Sequence, residues 1–284
     1  MEPLIEHSME LAGHRTRVLE LEGFGPGIVL LHGWGDSADT WRPLLAELAL
    51  CGRRAIAVDL PGFGSATRLN KGAILPQLDE FATALVRQWG AGEPVVIAGN
   101  SLGGAVALRL AEQADELGLA GVVPVAPAGL ERPGWFDIVE RDPIIRKLLD
   151  IPVPVPGALI RSLVGGADRQ LAYSNPKVAQ QQVVDAFAPH NGSGANAAGL
   201  LDSGRGLLPE LATAPFDLAA VACPVMLVWG TRDRMVPHSG ARHVLEALPD
   251  TNVVLLDGCG HCPQLERTEE LLELLLEFPA PVAV

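Results

Sequence analysis

The sequence has little cysteine, a deficit of basic charge and no long hydrophobic run. Four cysteines (Cys51, Cys223, Cys259 and Cys262) in 284 residues are too sparse for a disulfide scaffold. Cys259 and Cys262 bracket Gly260-His261 as half a zinc site would. No second ligand pair stands at metal-like spacing, so no metal is expected. Lys and Arg number 21 against 34 Asp and Glu, a formal net charge of −13. A surface of that sign repels phosphate backbones and anionic lipid, which excludes nucleic acid and membrane as expected partners and leaves a small molecule. No apolar stretch approaches the length that spans a bilayer. Met1-Glu2-Pro3-Leu4-Ile5-Glu6 lacks the basic start and apolar run of a secretory signal. The expectation is a cytoplasmic chain. No internal repeat is present.

Hydrophobic residues make up 48% and charged residues 19%, the balance of a globular protein with a sizeable core. The 31 glycines and 23 prolines imply many tight turns and close backbone approaches. Short apolar runs alternate with helical patterns, which predicts an α/β fold with a mostly parallel central sheet flanked by helices. The expected strands are 27–31, 54–58, 94–98, 121–125, 225–229 and 252–256, with Pro124 weakening the fourth. Helical patterns run over 40–50, 77–89, 102–116, 238–248 and 268–278. From Glu131 to Ala222 no strand is evident, only helical patterns and loops, including the Pro-rich 151–156 and the Gly-rich 191–196. The expectation is a core of 1–130 and 223–284, interrupted by a helical cap subdomain at 131–222. Ligands of open α/β sheets bind at the carboxyl ends of the strands, and an insertion there would cover the site.

Gly99-Asn100-Ser101-Leu102-Gly103 fits G-x-S-x-G with an apolar strand before it and a helix after it. A serine nucleophile needs that setting, because a sharp strand-to-helix turn exposes its hydroxyl and small neighbours let strand and helix close around it. A Gly-rich turn that happens to hold a serine would look the same. Trp229-Gly230-Thr231-Arg232-Asp233 puts a carboxylate just past a strand, where it would serve equally as a helix cap. Asp257-Gly258-Cys259-Gly260-His261 puts a histidine past a strand between small residues, with no packing reason for it. His243 falls within a helical pattern, His238 starts one, and His7, His14 and His190 stand in no motif. The order Ser101, Asp233, His261 is nucleophile, acid, base.

These segments make the chain resemble the α/β-hydrolase fold family over nearly its whole length outside the insertion. His32-Gly33-Trp34-Gly35 is similar to that family's H-G-x segment after the third strand. Asp59-Leu60-Pro61-Gly62-Phe63-Gly64 is similar to its D-x-P-G-x-G segment, and the insertion matches its cap in position. The resemblance implies a serine hydrolase with Ser101 as nucleophile, His261 as base and Asp233 orienting it, and needs no cofactor. It implies an oxyanion hole from the backbone N–H groups of Trp34 and Leu102, where one donor is typically worth about 3 kcal/mol. The His32 side chain would hold the loop. Trp34, Trp135 and Phe136 are candidate substrate contacts.

Serine at the elbow argues against the dehalogenases and epoxide hydrolases that resemble the family but use aspartate there. Ester hydrolysis is the expected reaction, with thioesters and lactones as close relatives. Carbon–carbon hydrolysis of the meta-cleavage-product type is the alternative, because 99–104 and 126–130 resemble that subgroup. Cys262-Pro263-Gln264 stands where that subgroup usually has a Trp, and Arg161 and Arg169 are the candidates for its cap arginine. Perhydrolase activity is a third option. A slow-turnover binding receptor would keep the same residues.

Overall fold

The structure is a computed structural model that describes residues 4–131, 134, 172–174, 194–213 and 215–278. Eight strands form one sheet: β1 (Ile5–Leu11), β2 (His14–Leu21), β3 (Phe24–Leu31), β4 (Arg53–Val58), β5 (Val95–Asn100), β6 (Leu119–Val125), β7 (Met226–Gly230) and β8 (Asn252–Leu256). Their spatial order is β1-β2-β4-β3-β5-β6-β7-β8. β2 runs antiparallel to β1 and β4, and β3 to β8 are parallel to one another. All six expected strands are present, each starting within three residues of its expected position.

The β1–β2 hairpin was not anticipated, and its residues explain why. β1 is an edge strand with mostly exposed or half-buried side chains, so it lacks an apolar run. The turn is Ala12-Gly13, with φ of 48° and 78°. Such a turn is signalled in sequence by Asn-Gly or Asp-Gly, not by alanine.

Pro124 does belong to β6, and its place in the ladder makes it tolerable. The amides of Val122 and Ala126 donate to Pro224 and Val228 on the β7 side at 3.0 and 2.8 Å. With a two-residue period the 124 nitrogen falls between them on that same side. The missing N–H therefore leaves one gap in the β6–β7 ladder, where only Val125 and Val228 pair as strand residues. On the β5 side the pairing is regular from Gly121–Val96 to Val125–Asn100, through Pro124 opposite Gly99.

Alternate residues of the central strands feed two cores, as the strand period requires. Val29, Leu31, Ile56, Val58 and Ile97 face one side, with Phe81 and Leu85 of helix α2 (Ile74–Gly90) and Val106 and Leu110 of helix α3 (Leu102–Ala111). Ile28, Leu30, Ala55, Ala57 and Val96 face the other. There they meet Leu44, Leu45 and Leu48 of helix α1 (Arg42–Leu50) and Leu271 and Leu275 of the C-terminal helix Thr268–Glu277. The chain leaves β3 towards β4 and leaves β5 towards β6. The gap between the carboxyl ends of β3 and β5 is thus the switch point of the sheet, the usual place for a ligand.

Within 131–222 the described residues include one long helix, Gly194–Ala212. Its Glu210 carboxylate accepts the first-turn amides of Ile74 and Leu75 in α2 at 2.7 and 2.8 Å. Leu207 from the same helix is buried in the core. The Pro-rich 151–156 lies outside the described residues. No helix among the described residues is long and apolar enough to cross a membrane.

Candidate active site

Ser101 joins β5 to α3 with φ 53° and ψ −109°. A non-glycine residue held there costs on the order of 1–3 kcal/mol, and it persists only where its surroundings fix it. The Ser101 amide donates to Val125 at 2.9 Å, and its carbonyl accepts from Ala105 and Ala128 at 3.0 and 3.1 Å. The flanking glycines are spatial necessities. A Cβ at Gly99 would stand 2.2 Å from the Gly103 carbonyl oxygen, and one at Gly103 would stand 2.2 Å from that of Leu31. The start of α3 is therefore in backbone contact with the end of β3. The loop after β3 follows: a Cβ at Gly33 would lie 3.3 Å from the Cβ of Ser101.

His32 is fully buried and holds this loop from both ring nitrogens. Nε2 accepts the Leu60 amide at 2.8 Å, so Nδ1 carries the proton and donates to the Gly33 carbonyl at 2.7 Å. That fixes the Gly33–Trp34 peptide beside Ser101. The Trp34 indole N–H donates to the Ser203 hydroxyl at 3.1 Å, which ties the loop to the helix Gly194–Ala212.

Asp233 and His261 come together from the ends of β7 and β8. His261 Nδ1–H donates to Asp233 Oδ2 at 2.7 Å, with both side chains almost completely buried. Oδ1 of the same carboxylate accepts the amides of Met235 and Val236 at 2.8 and 2.9 Å. Asp233 thus caps the following turn and orients His261 at once, so the two readings of it are compatible. Of the other histidines, His7 pairs with Glu20, His14 with Thr67, and His243 lies beside Arg242 on the surface. His238 opens a short 3-10 helix, and His190 lies outside the described residues. Trp135, Phe136, Arg161 and Arg169 also lie outside them.

Three side chains that sequence reasoning did not single out link the parts. Asn100 Nδ2 donates to the His261 carbonyl at 2.9 Å and to that of Val125 at 3.3 Å. Gln264 Nε2 donates to Asn100 Oδ1 and to the Thr40 hydroxyl, each at 3.2 Å. Glu266 Oε1 accepts the Gly260 amide at 3.0 Å. Gln264 and Glu266 both lie on the one-turn helix Pro263–Glu266 directly after His261, and that proximity in sequence was the available signal. Cys259 is buried, and burial pushes its thiol up to about 12. It is a neutral packing group at physiological pH.

The profile of the α/β hydrolase family matches residues 28–274, and the chain belongs to that family. It is 30% identical over 264 residues to the pimeloyl-[acyl-carrier protein] methyl ester esterase of Xanthomonas campestris pv. campestris, covering 92% of this chain and 98% of that one. It is 26% identical over 272 residues to a 2-hydroxy-6-oxononadienedioate/2-hydroxy-6-oxononatrienedioate hydrolase of a Pseudomonas species, covering 89% and 87%. Among solved structures it is similar to the 2-hydroxy-6-oxo-6-phenylhexa-2,4-dienoate hydrolase of Rhodococcus sp. strain RHA1. That match has a TM-score of 0.73 and 26% identity, covering 98% and 99% of the two chains.

Proposed function

We propose that the protein is a serine hydrolase that cleaves a carboxylic ester of a small to medium, largely apolar substrate through an acyl-enzyme. The observation that carries the reading is the bond from Asn100 to the His261 carbonyl at 2.9 Å. It holds the residue before Ser101 against the histidine that Asp233 orients. In this reading residues 1–130 and 223–284 form the hydrolase core, and 131–222 is the cap over the site.

Ser101 Oγ attacks the ester carbonyl carbon while its proton passes to Nε2 of His261. Asp233 holds the reactive tautomer and stabilises the imidazolium. The negative charge on the former carbonyl oxygen is met by the backbone N–H groups of Leu102 and Trp34. Leu102 stands at the first turn of α3, where the helix dipole has its positive end. Collapse breaks the bond to the alcohol oxygen, which takes the proton from His261. A water then attacks the acyl-enzyme with His261 again as base, releasing the acid and restoring the serine.

The ester reading is supported by the 30% identical Xanthomonas relative, which is named as a methyl ester esterase. The net charge of −13 favours a neutral, apolar substrate over an anionic one. A second reading, carbon–carbon hydrolysis, draws on the dienoate hydrolases at 26% identity. Against it, the residue after His261 is Cys262, buried against Ala172 and Tyr173.

Purified protein is expected to hydrolyse short-chain p-nitrophenyl esters, and Ser101→Ala is expected to lose that activity while keeping its circular dichroism spectrum. Undiminished turnover in the variant refutes the mechanism. A panel of esters, thioesters, lactones and vinylogous diketones separates the two reactions.

A further inference from the structure

Glu266 has no part in the chemistry above, yet both of its carboxylate oxygens are engaged. Oε1 accepts the amide of Gly260 at 3.0 Å. Oε2 accepts the amide of Ser174 at 3.1 Å and the hydroxyl of Ser174 at 2.5 Å. A fourth bond joins the same two segments: the His261 amide donates to the Ala172 carbonyl at 2.7 Å. The fit between them leaves no space. A Cβ on Gly260 would stand 2.6 Å from the Ala172 oxygen, from Glu266 Oε1 and from the Ser174 nitrogen.

Three donors converge on one side chain, and an ionised carboxylate is the group that accepts from all of them at once. The bonds also fall on consecutive peptides. Glu266 takes the N–H of Gly260 and Ala172 takes the N–H of His261, while Asn100 holds the carbonyl of His261. The three peptide units that set the direction of the imidazole are each held from outside the loop. Two of them depend on the segment 172–174 or on the carboxylate that grips it.

We propose that Glu266 is a positioning residue: it clamps the insertion segment Ala172–Ser174 onto the 259–261 loop and thereby sets where the His261 imidazole stands. The proposal rests on the reading of His261 as the base. A staple with no bearing on the base would affect stability alone, whereas a clamp that aims the base acts on the rate.

The test is Glu266→Gln, which keeps size and removes acceptor capacity. The glutamine oxygen can serve one segment, and its NH2 then faces the donors of the other. The expected result with p-nitrophenyl ester is a fall in kcat of roughly ten- to a hundredfold, the scale of a small misplacement of a reacting group. KM should stay within about twofold, because no bond to substrate is removed. A folded variant with wild-type kcat, or with a raised KM alone, overturns the proposal. If Glu266→Gln does not fold, Ser174→Ala decides: it keeps the carboxylate and removes one donor. A smaller fall in kcat at constant KM supports the clamp, and unchanged kcat overturns it. Ser101→Ala and His261→Ala are measured alongside. Turnover in either control refutes the serine mechanism itself, while two inactive controls beside a fully active Glu266→Gln refute only the clamp.

Discussion

Asp233 shows how one side chain answers two demands. One oxygen caps a turn through the amides of Met235 and Val236, and the other receives the proton of His261 Nδ1. Asp233→Asn keeps the shape and can keep the cap, but an amide NH2 facing Nδ1 favours the opposite tautomer. By the triad logic, kcat for an ester substrate should fall by about three to four orders of magnitude. His238→Ala, changed at the start of a separate 3-10 helix, should stay near wild type. Comparable losses in the two variants would require a different base. Ser101, Asp233 and His261, the residues proposed for chemistry, could be singled out because each sits in a short local pattern at a strand end. Asn100, Gln264 and Glu266 were not, because their roles lie in partners far along the chain. Asn100 meets the carbonyl of a residue 161 positions away, and Glu266 meets Ser174 across 92.

At the scale of elements, the apolar runs of β3 to β7 announced themselves because both faces of these strands are buried over most of their length, whereas the edge strand β8 keeps its apolar run with only Leu256 buried. The β1–β2 edge hairpin has neither such runs nor a turn sequence that demands positive φ, and it stayed hidden. Helix ends were a further surprise. Ala73 precedes α2 and offers no side-chain cap, and the helix is capped instead by Glu210 from the insertion. Glu210→Ala leaves two amides without that acceptor and should destabilise the protein by about 1 kcal/mol, the usual scale of a lost helix cap. Chemical denaturation measures it, and an unchanged midpoint would deny the cap any role. The neighbouring Arg109 strengthens this junction, with paired bonds to Asp79 and a further bond to the Pro215 carbonyl.

For the whole molecule, the buried Cys259 thiol and the half-buried Cys223 thiol set a limit on alkaline stability. Burial pushes Cys259 up from the ordinary 9.0 to about 12, and Cys223 to about 11. Below pH 9 both stay protonated, folded or unfolded. Above it the unfolded chain releases protons that the folded chain retains, so unfolding gains and stability falls as pH rises. Urea midpoints should decline from about pH 9 upward, and Cys259→Ala should make the decline shallower. A variant with the wild-type slope would show that this thiol does not contribute. The amino-acid sequence by itself determined the α/β class, the six strands from β3 to β8 and the three residues proposed for chemistry. Periodicity, turn glycines and strand-end motifs are properties of neighbours in the chain. Tertiary structure alone decided what surrounds those residues: the bond from Asn100 to the histidine loop, Ser203 on the Trp34 indole, Glu210 on α2 and the grip of Glu266 on 172–174. Each joins residues brought together only when the sheet closes and the insertion folds back on it. A hydrogen bond depends on distance in space, which local sequence does not encode.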